Sequence, residues 1–242
     1  NKRGIYRPLT ATPFKRNRFY TETAPSKELQ SYIRCYWGTE NPLIQIVNDE
    51  APELVIPDTC VDIIYDIDYT NNTVTGGFCG VNDCSFHANA DGTVGHMVST
   101  FAIRFYAWGA YAFSDDSMKS TLNGYLDVRA KFEWLDKMLR PRLLELKTLQ
   151  EKISFTEHVL LKRLPGVREH TVINDTIQNI LIKKGSLDIA ELARESFVST
   201  RQLERLFHEY VGVTPKKLSN LIRYQLLWRD ILYEPDFDVL SA

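Results

Sequence analysis

The sequence lacks any run approaching the ~18 apolar residues of a membrane-spanning helix, and its first residues lack the basic, apolar, small-residue order of a secretion signal. Both absences point to a cytoplasmic protein with no membrane partner. Cysteine is sparse: Cys35, Cys60, Cys79 and Cys84 are too few and too irregularly spaced for a disulfide framework in 242 residues, and they read as reduced thiols. Strong charge of either sign is missing too. A formal net charge of −2 excludes a chain that binds polyanions over its whole surface, so any nucleic-acid contact must be local. Of the five histidines only His87 and His96 fall in the β-rich half described below, with no His-x-His pair, and Cys79-x4-Cys84 with Cys60 is a poor zinc spacing. GGFCG at 76–80 is a turn rather than a phosphate loop, because no Lys-Ser/Thr follows it. No Ser-His-Asp or activated-cysteine arrangement can be argued. Neither catalysis nor a metal or other cofactor is expected.

What is present is an ordinary globular composition, 44% hydrophobic and 25% charged, enough for one large core or two modest ones. Up to about residue 113 the chain runs in short β-type stretches, ELVIP, CVDIIYDIDY, NTVTGGFCGV and MVSTFAIRFYAW, broken by Pro, Gly and Asn-Asp. Strands at that spacing predict an antiparallel barrel or sandwich. One helix is predicted inside this half, since Leu29, Tyr32, Ile33, Tyr36 and Trp37 recur at helical intervals behind Pro25-Ser26. From about residue 114 the pattern turns helical. The predicted fold is α+β: a β-barrel domain over 1–125, a helical connector over 126–165, and an all-helical region over 166–242.

The last region carries the most specific signals. A helix ends at Lys183, Lys184 and Gly185, cations in the last turn before a residue that tolerates the left-handed conformation. Asp188 with Glu191 opens a helix of about two turns, and Ser199 with Gln202 opens another after a brief link. Two short helices so closely joined predict a helix-turn-helix unit. Over 200–210, Leu203, Leu206, Phe207 and Tyr210 share one side, and Arg201, Gln202, Arg205, His208 and Glu209 the other. A solvated face is the plain reading of that polar side. Against it, arginines one turn apart suit guanine edges in the major groove, glutamine suits adenine, and the face lies on the second helix, the one that enters the groove in such units. Residues 199–230 also hold six Lys and Arg against two Glu and one Asp, a local excess of +3 in an acidic chain. Gly212 closes this helix, and Thr214-Pro215 opens another that places Lys216 and Lys217 in its first turn. There they oppose the helix dipole unless an anion such as a phosphate approaches; two solvated lysines are the alternative. That third helix, to about Leu232, is apolar on two sides: Leu218, Ile222 and Leu226 on one, Tyr224, Leu227 and Ile231 on another. The chain ends ten residues later, so a cover for the second side is expected from a partner or from further chain.

The stretch STRQLERLFHEYVGVTPKKLSNLIRYQ (199–225) resembles the first helix-turn-helix and linker helix of the AraC family of bacterial transcription regulators, over roughly 60 residues. The resemblance implies two helix-turn-helix subdomains joined by a long helix, with Ser199, Thr200, Arg201, Gln202, Glu204 and Arg205 on the recognition helix. The chain stops where the second subdomain is expected, YEPDFDVLSA resembling its first residues. On that reading this chain binds DNA weakly. Phe197 stands where such turns commonly place Gly, at a cost of about 1 kcal/mol if its φ is positive. More loosely, Tyr36-Trp37, Ile56-Pro57-Asp58, Asp62-Ile63-Ile64-Tyr65 and Ile103-Arg104-Phe105 with Gly109 resemble the cupin-like barrel that precedes this region in some members. That implies a regulatory domain. Trp37, Asp58, Asp62 and Arg104 are then the candidate ligand-binding residues, with an ion pair at a barrel rim as the alternative.

Together these features predict a sequence-specific DNA-binding transcription regulator, not an enzyme, whose barrel binds a small-molecule effector, mediates dimerisation, or both. Double-stranded DNA, an effector and a second copy of the chain are the expected partners. Leu135, Leu139, Leu143, Ile153, Leu160 and Leu161 in the connector supply either a dimer contact or packing against the barrel. A cupin-type metal-dependent enzyme with an appended helical domain and a protein-interaction module are the alternatives.

Overall fold

Strand β5 (Cys60–Asp68) organises the β-rich half. Its sequence alternates, and the two faces separate accordingly: Val61, Ile63, Tyr65 and Ile67 are buried, while Asp62, Ile64, Asp66 and Asp68 face a cavity. In the computed structural model, which describes residues 6–10, 12, 20–46, 53–88 and 93–233, β5 lies between β6 (Thr73–Cys79) and β8 (Met97–Tyr106), antiparallel to both. The sheet continues outward through β2 (Ile33–Gly38) to β1 (Thr21–Thr23) on one side and to β9 (Tyr125–Asp127) on the other, and β3 (Leu43–Ile44) pairs with the start of β8. A second sheet pairs β4 (Glu53–Val55) with β7 (Phe86–Ala88), and residues of both sheets line the cavity.

Two expectations need correction. The strands are antiparallel as expected, but closure into a barrel is not found: among the described residues no pairing joins β1 to β9. Both edge strands are only three residues long, which gives each little ladder with which to close. The helix predicted around residues 29–37 is instead a turn followed by β2. Amides of Leu29 and Gln30 bond to the Ser26 carbonyl and those of Tyr32 and Ile33 to the Leu29 carbonyl, and the chain then extends. Because β2 is buried on both faces, its alternation is invisible, and apolar residues at 33, 36 and 37 mimic helical spacing.

Helices cover the back of the sheet. A short α1 (Ala107–Ala110) is followed, after β9, by α2 (Arg129–Leu143) and α3 (Leu149–Arg163). Phe132 of α2 stacks on Phe105 of β8 at 5.9 Å and meets Phe78 of β6 at 5.4 Å; burying each such ring stabilises the fold by roughly 1.5–3 kcal/mol. Leu135, Leu139, Leu143, Ile153 and Leu160 are all buried within the chain, and Leu161 is half-buried against the same core. Of its two readings, the leucine stripe therefore follows the one in which it packs inward.

The remaining helices are α4 (Thr171–Ile182), α5 (Ile189–Glu195), α6 (Thr200–Tyr210) and α7 (Pro215–Tyr233). Lys184 (φ 50°) and Gly185 (φ 75°) both take the left-handed conformation after α4, and the Gly185 amide reaches back to the Ile180 carbonyl at 2.9 Å. One buried core runs from the sheet to α7. The Met118 amide donates to the Glu209 carbonyl (2.8 Å), the rings of Tyr111 and Tyr210 lie 4.1 Å apart, and Gln225 of α7 bonds to Leu9 and Pro57. Part of the cover missing from the sequence reading of α7 thus comes from the β-rich half, while Leu227, Leu232 and Tyr233 stay exposed. Residues 234–242, read as the start of a second subdomain, lie outside the described residues.

Candidate functional site

Two surfaces collect the chemistry-bearing residues. The first is the pair α5–α6. Asp188 accepts from the Ala190 amide at 2.7 Å and starts α5; four residues later than its end, Ser199 Oγ accepts from the Gln202 amide at 3.2 Å and α6 is under way. The link turns at Phe197, whose φ is 56° and whose ring is 96% exposed. Its amide bonds to the Arg194 carbonyl and that of Val198 to Ala193, each at 3.1 Å, so the backbone bonds of the turn are made at the expense of left-handed strain in a residue with a Cβ. In α6, Leu203, Leu206 and Phe207 are buried, and Arg201, Gln202, Glu204, Arg205 and His208 are exposed. Ser199 and Thr200, at its start, are exposed as well.

Gly212, at φ 85°, turns the chain, and Thr214 Oγ1 accepts from the Lys217 amide at 3.1 Å to begin α7. Lys216 is exposed there. Lys217 is not a solvated lysine: its ammonium is bonded to the carboxylate of Asp83 in the β6–β7 loop, and together with the Asn123 amide it holds Asp83 below the usual carboxylate range.

The second surface is a cavity of about 740 Å³ between the seven-stranded sheet and the β4–β7 ribbon, within the range of small-molecule sites. Trp37, Asp58, Asp62 and Arg104 all line it. Arg104 is 2% exposed and joins two carboxylates: one terminal nitrogen reaches Asp62 at 3.0 Å and the other is bonded to Asp58. Cross-strand register explains the grouping, since Arg104 of β8 is paired with Asp62 of β5 on one side and Cys35 of β2 on the other. Trp37 Nε1 donates to the second oxygen of Asp62 at 2.8 Å, and Asp58 accepts from the Cys60 amide at 2.6 Å. Burial pushes the Asp58 carboxyl up to about 6 against the pull of Arg104, with Asp62 adding to the rise. Burial likewise raises the Cys35 thiol to about 12 and the Cys79 thiol to about 11, so neither offers a thiolate near neutral pH. His96 Nδ1 lies 2.7 Å from Asp68, His87 is exposed on β7, and no group of three metal-ligating side chains occurs among the described residues.

Residues 21–127 match the model of a family described as a domain of unknown function, DUF6597. Its limits are those of the sheet, the first residue of β1 and the last of β9. In other proteins the DUF6597 domain often sits before AraC helix-turn-helix domains. No curated protein and no solved structure matches the chain.

Four participants escaped the sequence reading. Asp66 and Asp68 line the cavity beside Asp62 and carry a visible signal, because all three fall at even positions of one strand. Glu53 also lines the cavity, and Asp83 holds Lys217; neither has a local pattern to mark it.

Proposed function

We propose that the protein is a sequence-specific DNA-binding transcription regulator of the AraC type, in which α5 and α6 act as a helix-turn-helix and the DUF6597 domain acts as a cupin-like sensor. The observation that carries this reading is the face of α6. Its apolar side is occupied by the core, whereas Arg201, Gln202 and Arg205, on consecutive turns, are exposed with no element over them among the described residues. Guanidinium forks at that spacing can each take a guanine edge, and Gln202 an adenine. Lys216, at the start of α7, is placed to meet a phosphate at a helix N-terminus. The association of the DUF6597 domain with AraC helix-turn-helix regions elsewhere supports the same assignment.

The cavity supplies the regulation. A small molecule bound there alters the surroundings of Asp58, and the preceding residue, Pro57, is hydrogen-bonded to α7. Ligand affinity that differs between two placements of α7 shifts the population of the DNA-competent one. In a dimer the separation of two such helix pairs sets the spacing of the half-sites. Fluorescence anisotropy with labelled duplex DNA tests the reading. Binding is expected to weaken steeply as salt rises, and Arg201→Ala with Arg205→Ala to cost about 1–3 kcal/mol per lost base contact. Undiminished binding by the double variant removes α6 as the reading helix.

A further inference from the structure

The β-rich half grips the turn between α6 and α7 through several independent contacts. The Met118 amide donates at 2.8 Å to the Glu209 carbonyl, one of the acceptors that the last turn of α6 leaves unpaired. Tyr111 has the Tyr210 ring 4.1 Å away and the Arg168 guanidinium 4.0 Å from its own ring. Gly212, in the turn itself, has no room for a Cβ: one placed there would lie 2.7 Å from Thr121 Oγ1 and 2.9 Å from the Met118 carbonyl oxygen. At the start of α7, the Lys217 ammonium is bonded to Asp83.

The gripping side is held firmly. Asn123 Nδ2 donates to the Asp83 carboxylate at 2.7 Å and its Oδ1 accepts from the Asp83 amide at 2.9 Å, so one side chain sets both the backbone and the charge of Asp83. Asn123 is anchored in turn, its amide donating to the Val81 carbonyl at 2.8 Å, and the Gly80 amide donates to the Gly124 carbonyl at 2.9 Å. Ser120 (φ 60°) and Asn123 (φ 54°) both hold the left-handed backbone, which persists only where surrounding contacts impose it. The same stretch is a wall of the cavity. Cys79, Gly80 and Asn82 line it, and Asp83 is the next residue.

We propose that these contacts form an autoinhibitory clasp: in the free protein the β6–β7 loop and residues 118–123 hold the α6–α7 turn, and Asp83 takes on Lys217 the place of a DNA phosphate. This rests on the reading of α5 and α6 as a helix-turn-helix and names the contact that restrains it. A carboxylate and a phosphate compete for one ammonium through the same charge-assisted bond, so at Lys217 clasp and DNA exclude each other. A ligand in the cavity that fits the open wall better than the closed one moves Asn82, and with it Asp83, toward release.

The test compares the affinity of four full-length proteins for labelled duplex DNA: wild type, Asn123→Gly, Asn123→Gly with Lys217→Ala, and Arg201→Ala with Arg205→Ala. Glycine keeps the left-handed backbone at 123 and removes the side chain that sets Asp83. Asp83→Asn is the second opening variant, used where Asn123→Gly alters the melting curve. Opening the clasp is expected to tighten DNA binding about fivefold, and Lys217→Ala to cancel the gain. A clasp variant that binds no tighter than wild type, or a gain that survives Lys217→Ala, overturns the clasp; if the arginine variant is weakened in the same experiment, α6 stands as the reading helix. An arginine variant that binds as tightly as wild type removes that reading, and the clasp with it.

Discussion

The side-chain amide of Gln225 ties α7 to the wall of the cavity: its Nε2 donates to the Pro57 carbonyl at 2.6 Å, and its Oε1 accepts from the Leu9 amide at 2.8 Å. The residue is 1% exposed, and Asp58, next in sequence to Pro57, is bonded to Arg104. Replacing Gln225 by Leu leaves a buried carbonyl and a buried amide without partners, each costing about 1–3 kcal/mol. Urea denaturation of Gln225→Leu is expected to show a loss of about 2–4 kcal/mol. On the proposed reading the same variant should also reduce the effect of a bound effector on DNA affinity, because the joint between cavity and α7 is gone.

Asp83 holds the Lys217 ammonium, and on the proposed reading it competes there with DNA phosphate. Both side chains are partly exposed, so the pair itself stabilises by no more than ~1 kcal/mol. Asp83→Asn should therefore leave the melting temperature nearly unchanged while freeing a cation at the start of α7. The expected outcome in anisotropy titrations is tighter duplex binding with a salt slope steeper by about one phosphate contact. Lys217→Ala should then abolish that gain.

The turn at Phe197 stores removable strain. A left-handed φ of 56° in a residue with a Cβ, carrying a 96% exposed ring, predicts that Phe197→Gly stabilises the protein by about 1 kcal/mol. Chemical denaturation measures this directly. A loss of stability would show that the exposed ring has a partner in the folded protein.

Lys152 gives a pH signature. Its ammonium is buried beneath α3, donating to the Lys147 carbonyl at 2.9 Å, and burial lowers its pKa from 10.5 to about 8. Between about pH 8 and 10.5 the unfolded chain binds a proton that the folded one releases, so this group makes the fold more stable as pH rises through that window and carries its full penalty below it. Lys152→Met is expected to stabilise by about 1–2 kcal/mol at pH 7, with the advantage over wild type shrinking above pH 8. Thermal melts at pH 7 and 9.5 check the sign.

What could be read from the sequence was local. Asp188, Ser199 and Thr214 each cap a helix by bonding an amide two or three residues on, and the positive φ of Phe197 follows from the turn it occupies. Asp62 and Arg104 came together because the strand motifs that carry them pair in the expected antiparallel way. The turn and strand at 27–38 were misread because burial on both faces erases the period-two signal. Asp83 and Gln225 were out of reach, their partners lying 134 and 168 residues away, and closure of the sheet depends on edge pairings that no local pattern encodes.

Selection from a pool of random duplexes with the purified chain tests the central claim most directly. The account predicts enrichment of a short shared sequence containing guanines, lost in an Arg201→Ala, Arg205→Ala variant that melts like the wild type. A pool that stays random, or a shared sequence that the double variant still selects, contradicts it.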